Sequence, residues 1–283
     1  MSIPFCKFHG FGNDYIVIES QNIPAELSLS DLAKDICHRN TGAGADGIAV
    51  LTPLDGEEAD YQCEIINPDG SVAGFSGNGT RNAVAYLYYK GHWDQHALRL
   101  RMNTGIKNFT LIERLSEGHY WFEAEIGKPK FTNREIPFRS DIELETVVYQ
   151  NVNAASGIYP VCAVNVGNPV ACLFVSDFDI DWRGIGRELE ANPAFPEKAN
   201  IVFVRVIDKE NIELRIWERG VGETSSSGTC CSGAAVLSSL VGLTSRTVSA
   251  ITEGGTTEVY WRADDEILIT GRSDLVYCGE WPD

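Results

Sequence analysis

Several familiar signals are missing from this chain of 283 residues. No uninterrupted apolar run approaches the ~18 residues that a membrane-spanning helix needs. The opening residues, MSIPFCKFHG, hold no basic segment leading into an apolar one, so neither a membrane anchor nor a secretory leader is expected. There is no GxGxxG and no P-loop, which removes the common glycine-rich phosphate cradles. His9, His38, His92, His96 and His119 never fall at metal-ligand spacing, and the cysteines form no CxxC pair. Neither a metal nor an organic cofactor is therefore expected. Positive charge is scarce too, with 23 Lys and Arg against 40 Asp and Glu for a net charge of −17. That balance repels nucleic acid and anionic membrane surfaces, while a small substrate with its own cationic group suits it. The eight cysteines (Cys6, Cys37, Cys63, Cys162, Cys172, Cys230, Cys231 and Cys278) are scattered and read as reduced thiols of a cytoplasmic protein.

What is present is an ordinary globular composition, 43% hydrophobic and 10% aromatic, enough for two cores in modules of roughly 100–150 residues. The sequence also repeats itself. Residues 66–87 read INPDGSVAGFSGNGTRNAVAYL and residues 217–237 read WERGVGETSSSGTCCSGAAVL. Setting Ser76 on Ser227, an offset of 151, also sets Gly77 on Gly228, Asn78 on Thr229 and Ala83 on Ala234. Gly12-Asn13 recurs as Gly167-Asn168 at an offset of 155, and the strand-like run 48–51 recurs as 201–204 at 153. Features in one order at a nearly constant offset mark a duplicated module.

Around these repeats the pattern predicts a helix over 29–37, capped by Ser28 or Ser30, and strands at 48–51 and 61–66. A helix over about 79–90 is apolar over most of its circumference and should be buried, wrapped by sheet. Alternation over 98–126, with turns at Gly105 and Glu117-Gly118, predicts antiparallel strands. Residues 132–140 read as irregular.

Ser-Gly at a helix start has a local explanation, in which serine caps the first amides and glycine makes the turn. Two copies in related halves add another. Two helix N-termini can converge on one anion, such as a substrate carboxylate or the enolate-like species left when its α-proton departs. Inverting a carbon centre requires a proton removed from one face and delivered to the other, hence two groups. Asn13, Asn67, Asn168 and Asn200 stand at strand ends or turns; turn chemistry accounts for any one of them, and each also offers a donor and an acceptor to a ligand. Glu218-Arg219 is either a surface ion pair or a clamp for an α-amino acid head group, carboxylate on ammonium and guanidinium on carboxylate.

Taken in order, FCKFHGFGNDYIVIE, HRNTGAGADGI, INPDGSVAGFSGNGTRNAVAYL, VGNPV, KANIVFV and LRIWERGVGETSSSGTCCSGAAV resemble the blocks of the diaminopimelate epimerase family, the cofactor-independent isomerases of bacterial and plant lysine synthesis. The resemblance implies an α+β fold of two pseudo-symmetric modules, each a mostly antiparallel sheet rolled around a central helix, with the active site in the cleft between them. The modules would be residues 1–118, rejoined by 273–283, and residues 119–272. It implies LL- and meso-diaminopimelate as the interconverted pair. Ser76 and Ser227 would stand at the catalytic positions. Asn67, Asn200, Glu218 and Arg219 would hold the non-reacting end of the substrate, Asn13 and Asn168 would line the site, and the amides of Gly77, Asn78, Gly228 and Thr229 would bind the reacting carboxylate. The partner implied is a small diamino dicarboxylic acid, with a homodimer left open.

The chain departs from the family where the chemistry lies. The family carries cysteines where Ser76 and Ser227 stand, and GNPH where GNPV sets Val170. A helix start can lower a thiol into the useful range; a serine hydroxyl ionises far higher. Three explanations stay open: serines installed to trap substrate, natural serines with another group or a water moving the proton, or a silent binder of a diamino or related amino acid. Another racemase or isomerase of the same superfamily is also compatible. Cys230, three residues past Ser227, is a candidate displaced base or a small packing residue.

Overall fold

A computed structural model describes residues 2–56, 58–73 and 76–282. Gly74 and Phe75 of the first repeated turn lie outside the described residues. The chain divides into two units, Met1–Glu125 with Thr270–Asp283, and Ile126–Ile269.

The first unit runs β1 (Ile3–Gly10), β2 (Asn13–Glu19), α1 (Leu29–Ile36), β3 (Ile48–Pro53), β4 (Tyr61–Ile66), β5 (Val72–Ala73), α2 (Gly77–Tyr89), β6 (Ala97–Met102), β7 (Gly105–Ser116) and β8 (His119–Gly127). The second runs β9 (Val147–Ala154), β10 (Gly157–Asn165), β11 (Pro169–Phe174), α3 (Trp182–Glu190), β12 (Asn200–Val206), β13 (Asn211–Glu218), β14 (Gly222–Thr224), α4 (Gly228–Leu240), β15 (Thr247–Thr252) and β16 (Gly255–Trp261), and β17 (Ile267–Trp281) returns the chain to the first.

The duplication holds in strand pairing. β1–β2 and β10–β11 are antiparallel, β2–β3 and β11–β12 parallel, β3–β4 and β12–β13 antiparallel, and β4–β6 and β13–β15 parallel. Register agrees as well: Ile16 faces Ile48, which faces Ile66, and in the second unit Ala171 faces Ile201, which faces Trp217. α2 and α4 have 13 residues each.

Each sheet is covered on both faces. α2 is buried continuously from Asn78 to Tyr88 and packs on β1 to β4, and α4 packs on β10 to β13, β15 and β16. The other face takes an amphipathic helix. In α1, Leu32, Ala33 and Ile36 turn onto Ile16, Ile18 and Ile48; fully burying one such aliphatic side chain stabilises by about 1.5–3 kcal/mol. Ser28 caps α1 through Asp31 N. α3, which the sequence pattern did not announce, is capped by Asp181 and lays Trp182 and Leu189 against Phe203 and Ile201. Polar residues inside α2 find partners: Asn82 Nδ2 donates to Phe8 O at 3.3 Å, and Ser273 Oγ donates to Asn82 Oδ1 at 2.7 Å.

One expectation is corrected. Cys6 and Cys278 are not reduced thiols. They face each other across the antiparallel β1–β17 pair and form a disulfide spanning 272 residues of sequence. Only strand register makes such remote residues neighbours. The remaining six cysteines form no disulfide and are buried. Among the described residues no helix is long and apolar enough to cross a membrane.

Candidate active site

In the first unit the candidate residues hang on the β1–β2 turn, the β4–β5 turn and the start of α2. Asn13 donates through Nδ2 to Asp46 Oδ2 at 2.7 Å, and Arg39 grips Asp14 (2.9 and 3.1 Å) and Asp46 (2.6 Å). Thus the HRNTGAGADG block serves the GND turn. The Asp14 carboxyl is buried, which alone would raise its pKa, but hydrogen bonds and charge from Arg39 and Lys7 outweigh that and hold it below the ordinary range. Asn67 closes the PDGS turn, its Nδ2 donating to Ser71 Oγ at 2.9 Å. In that turn Gly70 has φ +84°, and a β-carbon would fall 2.1 Å from Ser30 Oγ on α1.

Ser76 is the N-cap of α2. Its Oγ accepts from Gly79 N at 3.1 Å and donates to the Tyr15 hydroxyl at 3.0 Å. Tyr15 was not marked by the sequence pattern. Its ring is admitted by Gly47 and Gly79, where β-carbons would lie 2.7 and 2.9 Å from it. Asn78 is buried, and its Oδ1 accepts from the buried Arg81 guanidinium.

The second unit joins its candidates into one chain of contacts. Asn200, 4% exposed, donates through Nδ2 to Pro169 O at 3.0 Å and accepts at Oδ1 from Arg219 N at 2.9 Å. It therefore ties the GNPV turn to the Glu218-Arg219 turn. Arg219 Nη1 donates to Glu197 O at 3.1 Å. Ser227, 6% exposed, donates to Glu218 Oε1 at 3.0 Å. Asn168 is half-buried, and its side chain has no hydrogen-bond partner among the described residues. Thr229 Oγ1 lies 3.5 Å from Ser227 Oγ.

The two helix starts thus differ. Ser227 is the N-cap residue of α4 by backbone geometry, but its hydroxyl accepts no amide. The local expectation that serine caps the helix holds at Ser76 and fails at Ser227, whose hydroxyl is turned to Glu218 instead. Gly228 and Thr229 are left without a side-chain cap, the arrangement suited to an anion.

Cys230 lies inside α4, fully buried. Burial first, and the neighbouring Glu218 charge second, push its thiol well above the ordinary range despite an opposing hydrogen bond from Ser227. It packs rather than ionises. Val170 is buried too, and a β-carbon on Gly233 of α4 would come within 2.8 Å of it. It faces the helix as packing.

Comparison with known proteins agrees with this architecture. A family model described as diaminopimelate epimerase matches residues 5–132 and 162–276. A diaminopimelate epimerase of Caldanaerobacter subterraneus subsp. tengcongensis is 36% identical over 279 residues, covering 98% of both chains, and one of Pelotomaculum thermopropionicum is 33% identical over 282 residues, again 98% of both. Among solved structures, a probable proline racemase from Agrobacterium radiobacter K84 shares the fold with a TM-score of 0.71 at 15% identity, over 98% of this chain and 92% of that one. With the family model matched in both units and relatives 33–36% identical over nearly the whole chain, the chain belongs to the diaminopimelate epimerase family.

Proposed function

We propose that this protein is an isomerase that inverts one Cα of a diamino dicarboxylic acid, interconverting LL- and meso-diaminopimelate. The observation that carries the reading is the pairing of Ser76-Gly77-Asn78 on α2 with Ser227-Gly228-Thr229 on α4, equal in length and in their place in the duplicated topology. Amides at two helix starts suit the carboxylate of the reacting centre and the charge that develops as its proton leaves. Arg219, whose guanidinium hydrogen-bonds among the described residues only to the Glu197 carbonyl, suits the distant carboxylate. Asn67 and Asn168 offer further donors and acceptors, while Asn13 and Asn200 act by holding their turns.

Serine is a poor base, so the proton needs another carrier. The Ser227 hydroxyl donates to Glu218, which supports a relay: as Ser227 Oγ takes the Cα proton, its own proton passes to the carboxylate. Glu218 then serves the reacting centre as well as the head group. For the opposite face the Ser76 hydroxyl, which donates to the Tyr15 oxygen at rest, turns its proton to the carbanion while the Tyr15 phenol passes its own to Ser76 Oγ, so that one proton gained by Glu218 is matched by one lost from Tyr15, which is left as the phenolate. The same reading has the protein working in the cytoplasm on a free amino acid. The Cys6–Cys278 disulfide is the one feature that favours a more oxidising setting.

The second reading is a silent binder of the same ligand. It is favoured by the capping role of Ser76, whose oxygen is already engaged by Gly79 N, and by the packed Val170.

α-Proton exchange in deuterated water with LL- and meso-diaminopimelate tests both, on the unaltered chain and on the Ser76→Cys, Ser227→Cys double variant. The proposal expects exchange by the unaltered chain, and a rate at least roughly 100-fold higher in the double variant, the scale of a matched general base. Binding without exchange in either protein refutes the mechanism and leaves the binder. No binding in either refutes the substrate.

A further inference from the structure

The turn carrying Glu218 and Arg219 is held from behind by one carboxylate. Glu190, the last residue of α3, is 8% exposed. Its Oε2 accepts from Trp217 Nε1 at 2.9 Å, and its Oε1 accepts from Gly220 N at 3.0 Å and from Lys198 Nζ at 3.1 Å. Trp217 and Gly220 flank the Glu218-Arg219 pair directly. Lys198 belongs to the loop that presents the Glu197 carbonyl to Arg219 and leads into Asn200. That loop turns at Lys198 itself, whose backbone is left-handed with φ +60°. Glu190 therefore touches each side of the clamp and neither of its charged ends.

From this we infer that Glu190 is a positioning residue for substrate recognition, locking the 217–220 turn and the 197–200 loop together so that Arg219 and Glu218 are held in the geometry an amino-acid head group requires. The inference rests on the function proposed above.

Its chemistry suits the task. Taking a carboxylate out of water disfavours its charge, but the hydrogen bonds from Trp217, Gly220 and Lys198 outweigh that penalty and hold the Glu190 carboxyl below its ordinary range. The group stays ionised at neutral pH and accepts from all three donors. A neutral amide in its place has only one accepting oxygen, so it cannot satisfy Trp217 on one side and Gly220 with Lys198 on the other. A carboxylate whose only task was to cap α3 would sit at the helix start; Glu190 sits at the opposite end, where the dipole disfavours it. The three donors, not the helix, account for its position.

Two measurements on the full chain decide the matter. The first needs no ligand: amide hydrogen exchange of residues 217–222 in Glu190→Gln and in the unaltered protein. Exchange at Arg219 and Gly220 should accelerate about tenfold or more, the scale of losing a hydrogen bond to a charged group, with α2 and α4 unchanged. The second is steady-state kinetics with meso-diaminopimelate. KM should rise about tenfold or more with kcat within about threefold, since uniform binding is what the clamp supplies. On an Arg219→Ala background Glu190→Gln should add nothing to KM. Trp217→Phe, which removes a single donor and keeps an aromatic ring, should shift both readouts in the same direction by less, and serves if Glu190→Gln fails to fold. Unchanged exchange at 217–222 overturns the inference whatever the ligand. Faster exchange with unchanged KM, or losses additive with Arg219→Ala, reduces Glu190 to a structural brace and overturns it equally. Faster exchange in a protein that binds no diaminopimelate upholds the lock and sinks the substrate instead.

Discussion

Ser227 Oγ donates to Glu218 Oε1 at 3.0 Å, whereas Ser76, at the same place in the first repeat, accepts from Gly79 N at 3.1 Å and has no carboxylate partner among the described residues. Equivalent serines therefore do unequal work. The second is drawn off its helix by an acid that the first repeat does not supply, since Ile66 and Asn67 stand where Trp217 and Glu218 do.

The first consequence concerns stability. Ser76→Ala removes a helix cap and should lower the unfolding free energy by about 1 kcal/mol, while Ser76→Asn, another good capping residue, should retain most of it. Urea denaturation monitored by circular dichroism reads this directly. An unshifted midpoint in Ser76→Ala would contradict the cap.

Arg219→Ala should weaken diaminopimelate binding on the order of 100-fold, the scale of losing a bidentate charged contact. Arg219→Lys should recover little, because an ammonium cannot reproduce the planar fork. Calorimetry giving the unaltered affinity for Arg219→Ala would remove the residue from the site.

Acid should loosen the first unit through Asp14. Its folded pKa is depressed, so in acid the unfolded chain binds its proton more readily than the folded one. The stability it contributes is present above the unfolded carboxylate range, near ~4, and is lost as pH falls through the lower folded value. Denaturation midpoints between pH 6 and pH 3 should fall steeply for the unaltered protein. Asp14→Asn should be weaker at neutral pH and show a shallower decline. Parallel slopes would assign the acid sensitivity to other carboxylates, such as Asp60 and Glu213, whose pKa values are also lowered.

Gly233→Ala should destabilise by about 1–3 kcal/mol, because the new methyl meets Val170 at 2.8 Å inside a packed core. Combined with Val170→Ala, the loss should be smaller than the two single losses added. Simple additivity would mean that the helix shifts rather than collides.

The blocks around Asn13, Asn67, Ser76, Asn168, Glu218 and Ser227, and the repeat that relates them, were legible without coordinates. They are local: glycines, capping residues and strand-to-helix turns follow from neighbours in sequence, and a hydrophobic period announces a buried helix such as α2. Asn200 was legible as a repeated position but not as the tie between Pro169 and Arg219, since its two partners lie 31 and 19 residues away.

The chain alone therefore disclosed the duplicated module, because binary pattern and turn chemistry act over a few residues and recur in both halves, and the resemblance of its blocks to a known family implied the α+β design. Folding in three dimensions decided the rest. It paired Cys6 with Cys278, aimed Ser227 at Glu218 rather than at its own helix, slid the Tyr15 ring between Gly47 and Gly79, and brought Glu190 under the Glu218-Arg219 turn. Each joins groups that are not neighbours in sequence, from 9 residues apart at Ser227 and Glu218 to 272 at the disulfide. Strand register and close packing select such contacts, and no local period in the sequence encodes them.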